Sequence, residues 1–295
     1  MKVVTIATDL ENAFLKRLLT TSCEAVGLDL VILHVDKEAF KFKDKRTALT
    51  RYLAQCPRSD ELIVFTDAYD TLFLRGEQYI RTAYEGFAQK VVFSAEPNSW
   101  PLGAIGFALQ ESPPARPYPY LNSGGFIGSV GDILALCAKY PKPPSDRFPL
   151  LRHLRGHDYD TDKRFGFSDQ YYWTLVRLLE AETVGLDNTA RLFEYLGPAV
   201  GDVWDPNIKI GIKDFFARGK EAASYQRERE RLVARLQSPS DAAQVHFASI
   251  ITKAVALDLF DEGRLPDWLG GFRGATGSDR PATEVVHVGS WPNAT

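Results

Sequence analysis

An α/β fold with a mainly parallel sheet and helices on both faces is predicted by three features of this 295-residue sequence. Short apolar runs alternate with segments of helical periodicity over the first two hundred residues, as they do in βαβ units. The run Glu61–Phe65 is almost entirely apolar, which is typical of a central strand. With 45% hydrophobic and 25% charged residues, the chain can bury a large core, so we expect one domain over 1–295.

The predicted elements follow one another in a regular order. Val3–Ile6 is the first strand, helical spacing runs from Phe14 to Ala25, and Gly27 lies where a helix would stop. Further strands are predicted at 28–34, 61–65, 90–94 and 125–130, and further helices at 47–54, 77–88, 131–139 and from about 169. The six prolines between 97 and 119 predict a loop over 96–120, and 141–165 is predicted to be irregular.

The pattern changes after Gly201. A highly charged helical stretch covers 215–236, a more apolar one covers 242–259, and a last strand follows at 284–287. Because that strand returns to the sheet pattern, residues 202–282 are predicted to be a helical insertion within the single domain.

Composition excludes several classes of function. A net charge of -3 and a pI near 6.0 do not favour a nucleic-acid partner, which a basic surface would attract. No stretch approaches the roughly 18 apolar residues of a membrane span, and the apolar run at the N-terminus is too short for a signal peptide. The three cysteines have no metal-ligand spacing, so we expect buried free thiols in a cytoplasmic protein.

Two carboxylates directly after the clearest strand form the most informative motif. Asp67 and Asp70 leave Glu61–Phe65 and enter a turn, at the strand end where open α/β sheets bind ligands. Hard cations such as Mg²⁺ or Mn²⁺ bridge carboxylates and diphosphates, so a metal site is one interpretation. A structural turn is the other, because Asp favours turns and the same spacing recurs at Asp202/Asp205 and Asp258/Asp261.

Other segments carry groups that suit a sugar ligand. Asn122 and the paired glycines at 124 and 125 offer hydrogen bonds and close backbone approach, although a simple turn also explains them. Glu96 follows a predicted strand and Trp100 offers an aromatic face or a packing anchor. Two further candidates are Asp169, which opens a helix and could complement its dipole, and His287, which ends the last strand.

Taken together, these motifs resemble the glycosyltransferase domain of the procollagen lysyl hydroxylase and glucosyltransferase family and its microbial relatives. The resemblance covers about 1–200 and 283–295, and rests on the segments FTDAYDTLF, VVFSAEPNSW, YPYLNSGGFIG, SDQYYW, LDNTARLF and VVHVGSWPN. It implies a GT-A-like, Rossmann-type fold, a UDP-sugar donor, and Mn²⁺ (or Mg²⁺) as cofactor.

The resemblance also implies roles for individual residues. The metal ligands would be Asp67, Asp70 and His287. The donor would be bound by Thr8, Lys45, Tyr69 against the uridine, Gly124 and Gly289. Residues expected to line the sugar and acceptor cleft or to assist transfer are Glu96, Trp100, Asn122 and Asp169.

The sequence departs from the family at three places. Phe165–Ser168 stands where relatives carry a run of acids, and Val288 follows the histidine where relatives continue Gly-Asn-Gly-Pro. The block 202–282 has no counterpart, and the hydroxylase domain of the larger relatives is absent from this sequence.

We therefore expect transfer of glucose or galactose from UDP to an acceptor hydroxyl, with retention of configuration and no identifiable catalytic base. The acceptor would be a glycan, a glycosylated protein or a small molecule. Two alternatives remain open from the sequence: a non-catalytic glycan- or partner-binding protein on a degenerate fold, and another nucleotide-diphosphate enzyme such as a nucleotidyltransferase.

Overall fold

Two sheets organise the protein, whose computed structural model describes residues 1–38, 40–110, 117–155, 159–270 and 282–288. Their strands are β1 (Lys2–Ala7), β2 (Leu30–His34), β3 (Leu62–Asp67), β4 (Thr71–Phe73), β5 (Val91–Glu96), β6 (Tyr120–Ser129), β7 (Val184–Asp187), β8 (Phe193–Tyr195), β9 (Gln244–His246) and β10 (Thr283–His287). The main sheet has the order β10-β2-β1-β3-β6-β5-β7, and only β6 runs antiparallel to its neighbours. The predicted α/β class with a mainly parallel sheet is confirmed.

Helices connect most of these strands. They are α1 (Thr21–Val26), α2 (Lys45–Leu53), α3 (Glu77–Glu85), α4 (Ala104–Leu109), α5 (Val130–Lys139), α6 (Pro149–Leu154), α7 (Thr161–Phe165), α8 (Asp169–Leu179), α9 (Pro206–Arg218), α10 (Ala223–Arg235), α11 (Ile250–Asp261) and α12 (Asp267–Gly270). A π-helical turn, Leu15–Thr20, leads into α1, which stops at the left-handed Gly27 (φ 74°) as the sequence predicts. Within the described residues, every helix is too short or too polar to cross a lipid bilayer.

Apolar side chains cover both faces of the main sheet. One buried cluster contains Phe65, Phe93, Phe126 and Trp173, and a second contains Val64, Val92 and Ile127 from the same strands. Successive residues of a strand point to opposite faces, so apolar runs are required for burial on both sides. This explains why the strands were recognisable in the sequence.

Three segments differ from their predictions. The predicted loop 96–120 contains the short helix α4, and the predicted irregular segment 141–165 contains α6 and α7. Strand β6 begins at Tyr120, so Asn122 and the glycines that follow it lie inside a central strand and do not form a turn. Pairing with β3 and β5 on both sides satisfies the backbone there and overrides the local preference of Asn and Gly for turns.

A smaller sheet, with the order β4-β9-β8, packs beside the main one. Its middle strand, β9, lies inside the segment 202–282 that was predicted to be helical, so that prediction is wrong for 244–246. The flanking helices α9, α10 and α11 do form, and they pack in a cluster with Leu72, Val245 and Phe247 of the small sheet. Strand β9 therefore completes the second sheet.

Phe126 offers a test of the core. Its ring stacks between Phe65 and Phe93 at centroid distances of 5.0 and 4.6 Å and is 1% exposed. We expect Phe126→Ala to lower the free energy of unfolding by about 3–5 kcal/mol, because it leaves a cavity between two aromatic rings. In denaturant titrations, Phe216→Ala, which truncates a ring that is 67% exposed, should stay within about 0.5 kcal/mol of wild type. Equal losses for the two variants would contradict this account of the core.

Candidate active site

The two aspartates lie in the tight connection between the main sheet and the small sheet. Asp67 is the last residue of β3, and Asp70 directly precedes β4. The Thr71 hydroxyl donates to the Asp67 carbonyl oxygen at 2.6 Å, which closes the turn between the strands. The turn is the local structure that the sequence suggested, and it leaves both carboxylates at the carboxyl end of β3.

His246 is the histidine that the structure brings to these carboxylates. It ends β9, where it lies opposite Thr71 of β4, and the Phe247 amide donates to the Asp70 carbonyl oxygen at 2.7 Å. Ligand atoms of Asp67, Asp70 and His246 all lie within 4.8 Å of one another. Among the described residues, this is the one group of His, Cys and acidic side chains with the spacing of a metal site.

Unsatisfied polar atoms show that this group fits a cation. Asp70 Oδ1 and His246 Nδ1 are buried and have no hydrogen-bond partner, although His246 Nε2 lies 3.4 Å from Asp70 Oδ1. Buried polar atoms normally find partners, so the unpaired Asp70 Oδ1 next to His246 Nε2 fits a cation held by these two side chains. Two carboxylates and one imidazole suit a divalent ion such as Mn²⁺.

His287, the predicted third ligand, lies elsewhere. It ends the edge strand β10, is exposed, and sits in register with His34 of β2, with the two Nδ1 atoms 3.0 Å apart. The structure does not place it with the aspartates, so His246 replaces it as the candidate ligand. The physical reason is topology: β10 joins the sheet beyond β2 and β1, whereas β9 pairs with the strand that follows Asp70.

Charges around the group are balanced by two lysines. Lys45 Nζ lies 2.5 Å from Asp67 Oδ1 and 3.9 Å from Asp169 Oδ1. Burial alone would lower the pKa of Lys45, but Asp169 and Asp67 outweigh it and raise that pKa. Burial also opposes ionisation of Asp70, yet His246, with Lys253 and Lys45, holds the pKa of Asp70 below its usual value.

His246 and Asp169 are shifted in ways that follow from the same cluster. Burial favours neutral His246, but the carboxylate of Asp70, followed by Asp67, raises its pKa overall. Burial raises the pKa of Asp169 to about 6, which Lys45 partly opposes and Asp67 reinforces. Lys45 therefore links Asp169, the predicted transfer residue, to the turn that carries Asp67 and Asp70.

Glu96 forms a buried polar cluster with three amide side chains. Its Oε1 accepts from Gln170 at 2.7 Å and from Asn122 at 3.0 Å, and its Oε2 accepts from Asn98 at 3.2 Å. Burial nevertheless dominates and raises the pKa of Glu96 to about 7. Trp100 joins this cluster through its carbonyl oxygen, which accepts from Gln170 at 3.0 Å. These contacts bring the predicted residues Glu96, Asn122 and Trp100 together.

Tyr69 and Thr8, both predicted to contact the donor, are in direct contact. The Tyr69 hydroxyl accepts from the backbone amides of Thr8 and Asp9, each at 2.7 Å. These bonds fix the Tyr69 ring across the end of β1, next to the aspartates that flank it in sequence. Gly289, the remaining predicted donor residue, lies outside the described residues.

Gly124 is needed for the close approach of His246 to β6. A Cβ atom built on Gly124 would lie 2.4 Å from Cε1 and 2.8 Å from Nδ1 of His246. Only glycine therefore lets the imidazole take its place. The role of Gly124 that the structure displays is thus to make room for a candidate ligand.

Two cavities meet at the aspartates. One, of about 360 Å³, is lined by Thr8, Tyr69 and the lysines Lys37, Lys41, Lys45 and Lys253. The other, of about 420 Å³, contains Glu96, Asn122, Gln170 and His246. Asp67 and Asp70 line both, so the candidate metal group forms the boundary between a cationic cavity and an amide-rich one.

Comparison with known proteins identifies the family. Residues 1–147 match the family described as the PLOD GT domain. The chain carries a PLOD-type glycosyltransferase domain. Procollagen-lysine,2-oxoglutarate 5-dioxygenase 1 of Gallus gallus is 27% identical over 68% of this chain, and the Drosophila melanogaster protein is 24% identical over 72%. The chain spans only 26% and 27% of the lengths of these two relatives.

Solved structures show a looser likeness to this chain. Mouse xyloside xylosyltransferase 1 in its apo form aligns with 83% of this chain and 96% of its own, at a TM-score of 0.42 and 13% identity. A glycosyltransferase involved in glycosylation of the major capsid of PBCV-1 aligns with 87% and 97%, at a TM-score of 0.41 and 10% identity. TM-scores of this size do not extend the family match.

Glu96 predicts a pH dependence of stability. Its folded pKa near 7 exceeds the ordinary value of 4.5, so between these pH values the folded protein retains a proton that the unfolded chain releases. The free energy of unfolding should therefore fall as pH rises from about 4.5 to about 7, by up to about 3 kcal/mol from this group. Denaturant titrations in EDTA should show that Glu96→Gln loses this part of the slope.

A matched control separates burial from charge. Glu11, whose side chain is 82% exposed, offers the substitution Glu11→Gln, which should keep the wild-type slope. An unchanged slope in Glu96→Gln would show that the buried carboxyl is not the titrating group.

Gly124 yields a second prediction. We expect Gly124→Ala to weaken Mn²⁺ binding by about tenfold to a hundredfold, because the added methyl group displaces His246 from its position. Gly201→Ala is the control, since a Cβ at Gly201 would meet no atom within 4 Å. Titrations that give both variants the wild-type Mn²⁺ affinity would contradict the proposed position of His246 as a ligand.

Proposed function

We propose that this protein transfers glucose or galactose from a UDP-sugar to an acceptor hydroxyl, with Mn²⁺ or Mg²⁺ and with retention of configuration. The family match supports glycosyl transfer, and one observation carries the rest. The candidate ligands Asp67, Asp70 and His246 lie where a lysine-rich cavity meets a cavity rich in amides and carboxylates. A UDP-sugar has the same division, because uridine and the charged diphosphate lie on one side of the bond that is broken and the uncharged sugar lies on the other.

The cationic cavity suits the nucleotide. Lys37, Lys41 and Lys253 would attract the diphosphate, and the Tyr69 ring, held by the amides of Thr8 and Asp9, provides a fixed aromatic surface for uridine. Phe40 and Phe42 line the same cavity and add apolar surface. Donor binding is therefore assigned to this side.

The residues at the boundary would hold the cation. A bound divalent ion would stabilise the negative charge of the departing diphosphate. Asp67, Asp70 and His246 would hold the ion, and Lys45 holds Asp67 in place. The amide-rich cavity then receives the sugar, whose hydroxyls can pair with Asn122, Gln170 and Glu96.

The two candidate histidines provide the decisive test. UDP release from a panel of UDP-sugars should depend on Mn²⁺, and His246→Ala should lower it by at least about tenfold because a ligand is lost. His287→Ala removes an exposed imidazole from the sheet edge and should stay within about twofold of wild type. The reverse order of effects would restore His287 as the ligand and contradict the assignment.

Binding separates this function from the non-catalytic alternative. UDP with Mn²⁺ at about 100 times its dissociation constant should stabilise a competent site by about 2.7 kcal/mol. No thermal shift and no UDP release from any UDP-sugar would instead favour a glycan- or partner-binding protein. Release of UMP or pyrophosphate would indicate a nucleotidyltransferase.

A further inference from the structure

The amide-rich cavity is lined by two chemically different sets of side chains. Glu96, Asn122 and Gln170 are polar, and an apolar wall consists of Val200, Val203, Ile208, Ile212 and Ile250, with Trp100. No lysine or arginine lines this cavity in the part of the chain that the structure describes. The lysines lie in the other cavity, which is where a diphosphate would be attracted.

Helix α9 supplies part of the apolar wall. Ile208 and Ile212 are four residues apart and therefore share one face of the helix, and both line the cavity. Ile210 lies on the opposite side and is 61% exposed. Ile208 and Ile212 are half-buried, so their face leaves apolar surface inside the cavity that an apolar group of a ligand would cover.

The wall is held in a fixed position. Trp204, just before α9, donates from Nε1 to the Pro101 carbonyl oxygen at 2.9 Å and stacks on Trp100 at a centroid distance of 5.4 Å. The Asp205 side chain accepts from the Asn207 amide at 2.8 Å and caps the helix. Gly103, with φ of 55°, lets the chain pass against Trp204, where a Cβ would lie 3.0 Å from Cδ1.

We infer that the acceptor carries an alkyl or aryl group next to the hydroxyl that receives the sugar. This inference rests on the proposed function and specifies its acceptor. The acceptor hydroxyl would lie next to the donor's sugar, and the apolar group would lie against Ile208, Ile212 and Ile250. A single cavity of about 420 Å³ contains both sets of side chains, which is the size of pocket that binds small organic molecules.

Alkyl glycosides of graded length test the inference directly. Calorimetric titration of the full chain, with UDP and Mn²⁺ present, would use methyl and butyl β-glucosides and the matching β-galactosides. Each buried methylene should tighten binding about threefold to fourfold, so butyl should bind at least about tenfold more tightly than methyl for one of the sugars. Phenyl glycosides, compared with butyl at similar apolar size, distinguish an aryl from an alkyl preference.

Paired variants locate the effect on the wall. Ile212→Asn should reduce the ratio of methyl to butyl dissociation constants at least about threefold, whereas Ile210→Asn on the outer side of α9 should preserve it. Equal affinities across both series, or equal ratios in the two variants, would overturn the inference.

The binding experiment is independent of turnover. UDP release without acceptor reports the proposed function alone. Chain-length discrimination without UDP release would contradict the enzymatic assignment and leave the apolar site standing. UDP release without chain-length discrimination would support the enzymatic assignment and overturn the apolar site.

Discussion

The pairing of β9 with β4 is the constraint on which the candidate site depends. Without it, the turn from Asp67 to Asp70 would present two carboxylates and no imidazole. Three residues of ladder place His246 opposite Thr71, and the bond from the Phe247 amide to the Asp70 carbonyl oxygen fixes the strand end. The short strand β9 thus brings His246 to Asp67 and Asp70. Its other two residues, Gln244 and Val245, are at most 1% exposed.

Electrostatics explains why the cluster is compatible with folding in the absence of a ligand. Asp67, Asp70, Asp169 and Glu96 lie close together in a buried region, which would be unfavourable if all were charged and unpaired. Lys45 forms ion pairs with Asp67 and Asp169, and His246 lies next to Asp70. Burial raises the pKa of Glu96 to about 7, so this carboxyl group holds a proton below that pH. Asp70 Oδ1, which faces His246 Nε2 and has no hydrogen-bond partner, is the buried atom that a cation would satisfy.

Much of this architecture was predictable from the sequence because it depends on local pattern. The apolar runs that became β1, β2, β3 and β5 needed no tertiary information, and the aspartates could be placed at a strand end. His246 could not be selected, because its three-residue strand is too short to show an alternating pattern and lies between two helices. The weak signal was Val245-His246 before a capping Ser249, which was no stronger than the strand ending at His287. Only long-range pairing distinguishes the two histidines.

The same reasoning applies to the residues that sequence patterns missed. Gln170 donates to Glu96 and to two carbonyl oxygens, and Asn98 joins Glu96 to the Pro198 carbonyl oxygen, yet neither belongs to a periodic pattern. Their roles follow from the packing of α8 and the 97–103 segment onto β6, which single-residue chemistry does not reveal.

The paired glycines of β6 also constrain how this protein can diverge. A Cβ at Gly124 would strike His246, and a Cβ at Gly125 would lie 2.6 Å from Gln244 Oε1 and 2.9 Å from Cδ1 of Phe193. At this contact between the two sheets, the main sheet contributes glycines and the small sheet contributes large side chains. Residues that face each other across this seam are not free to vary singly: in related sequences, a larger residue at 124 or 125 should coincide with a smaller one at 246, 244 or 193.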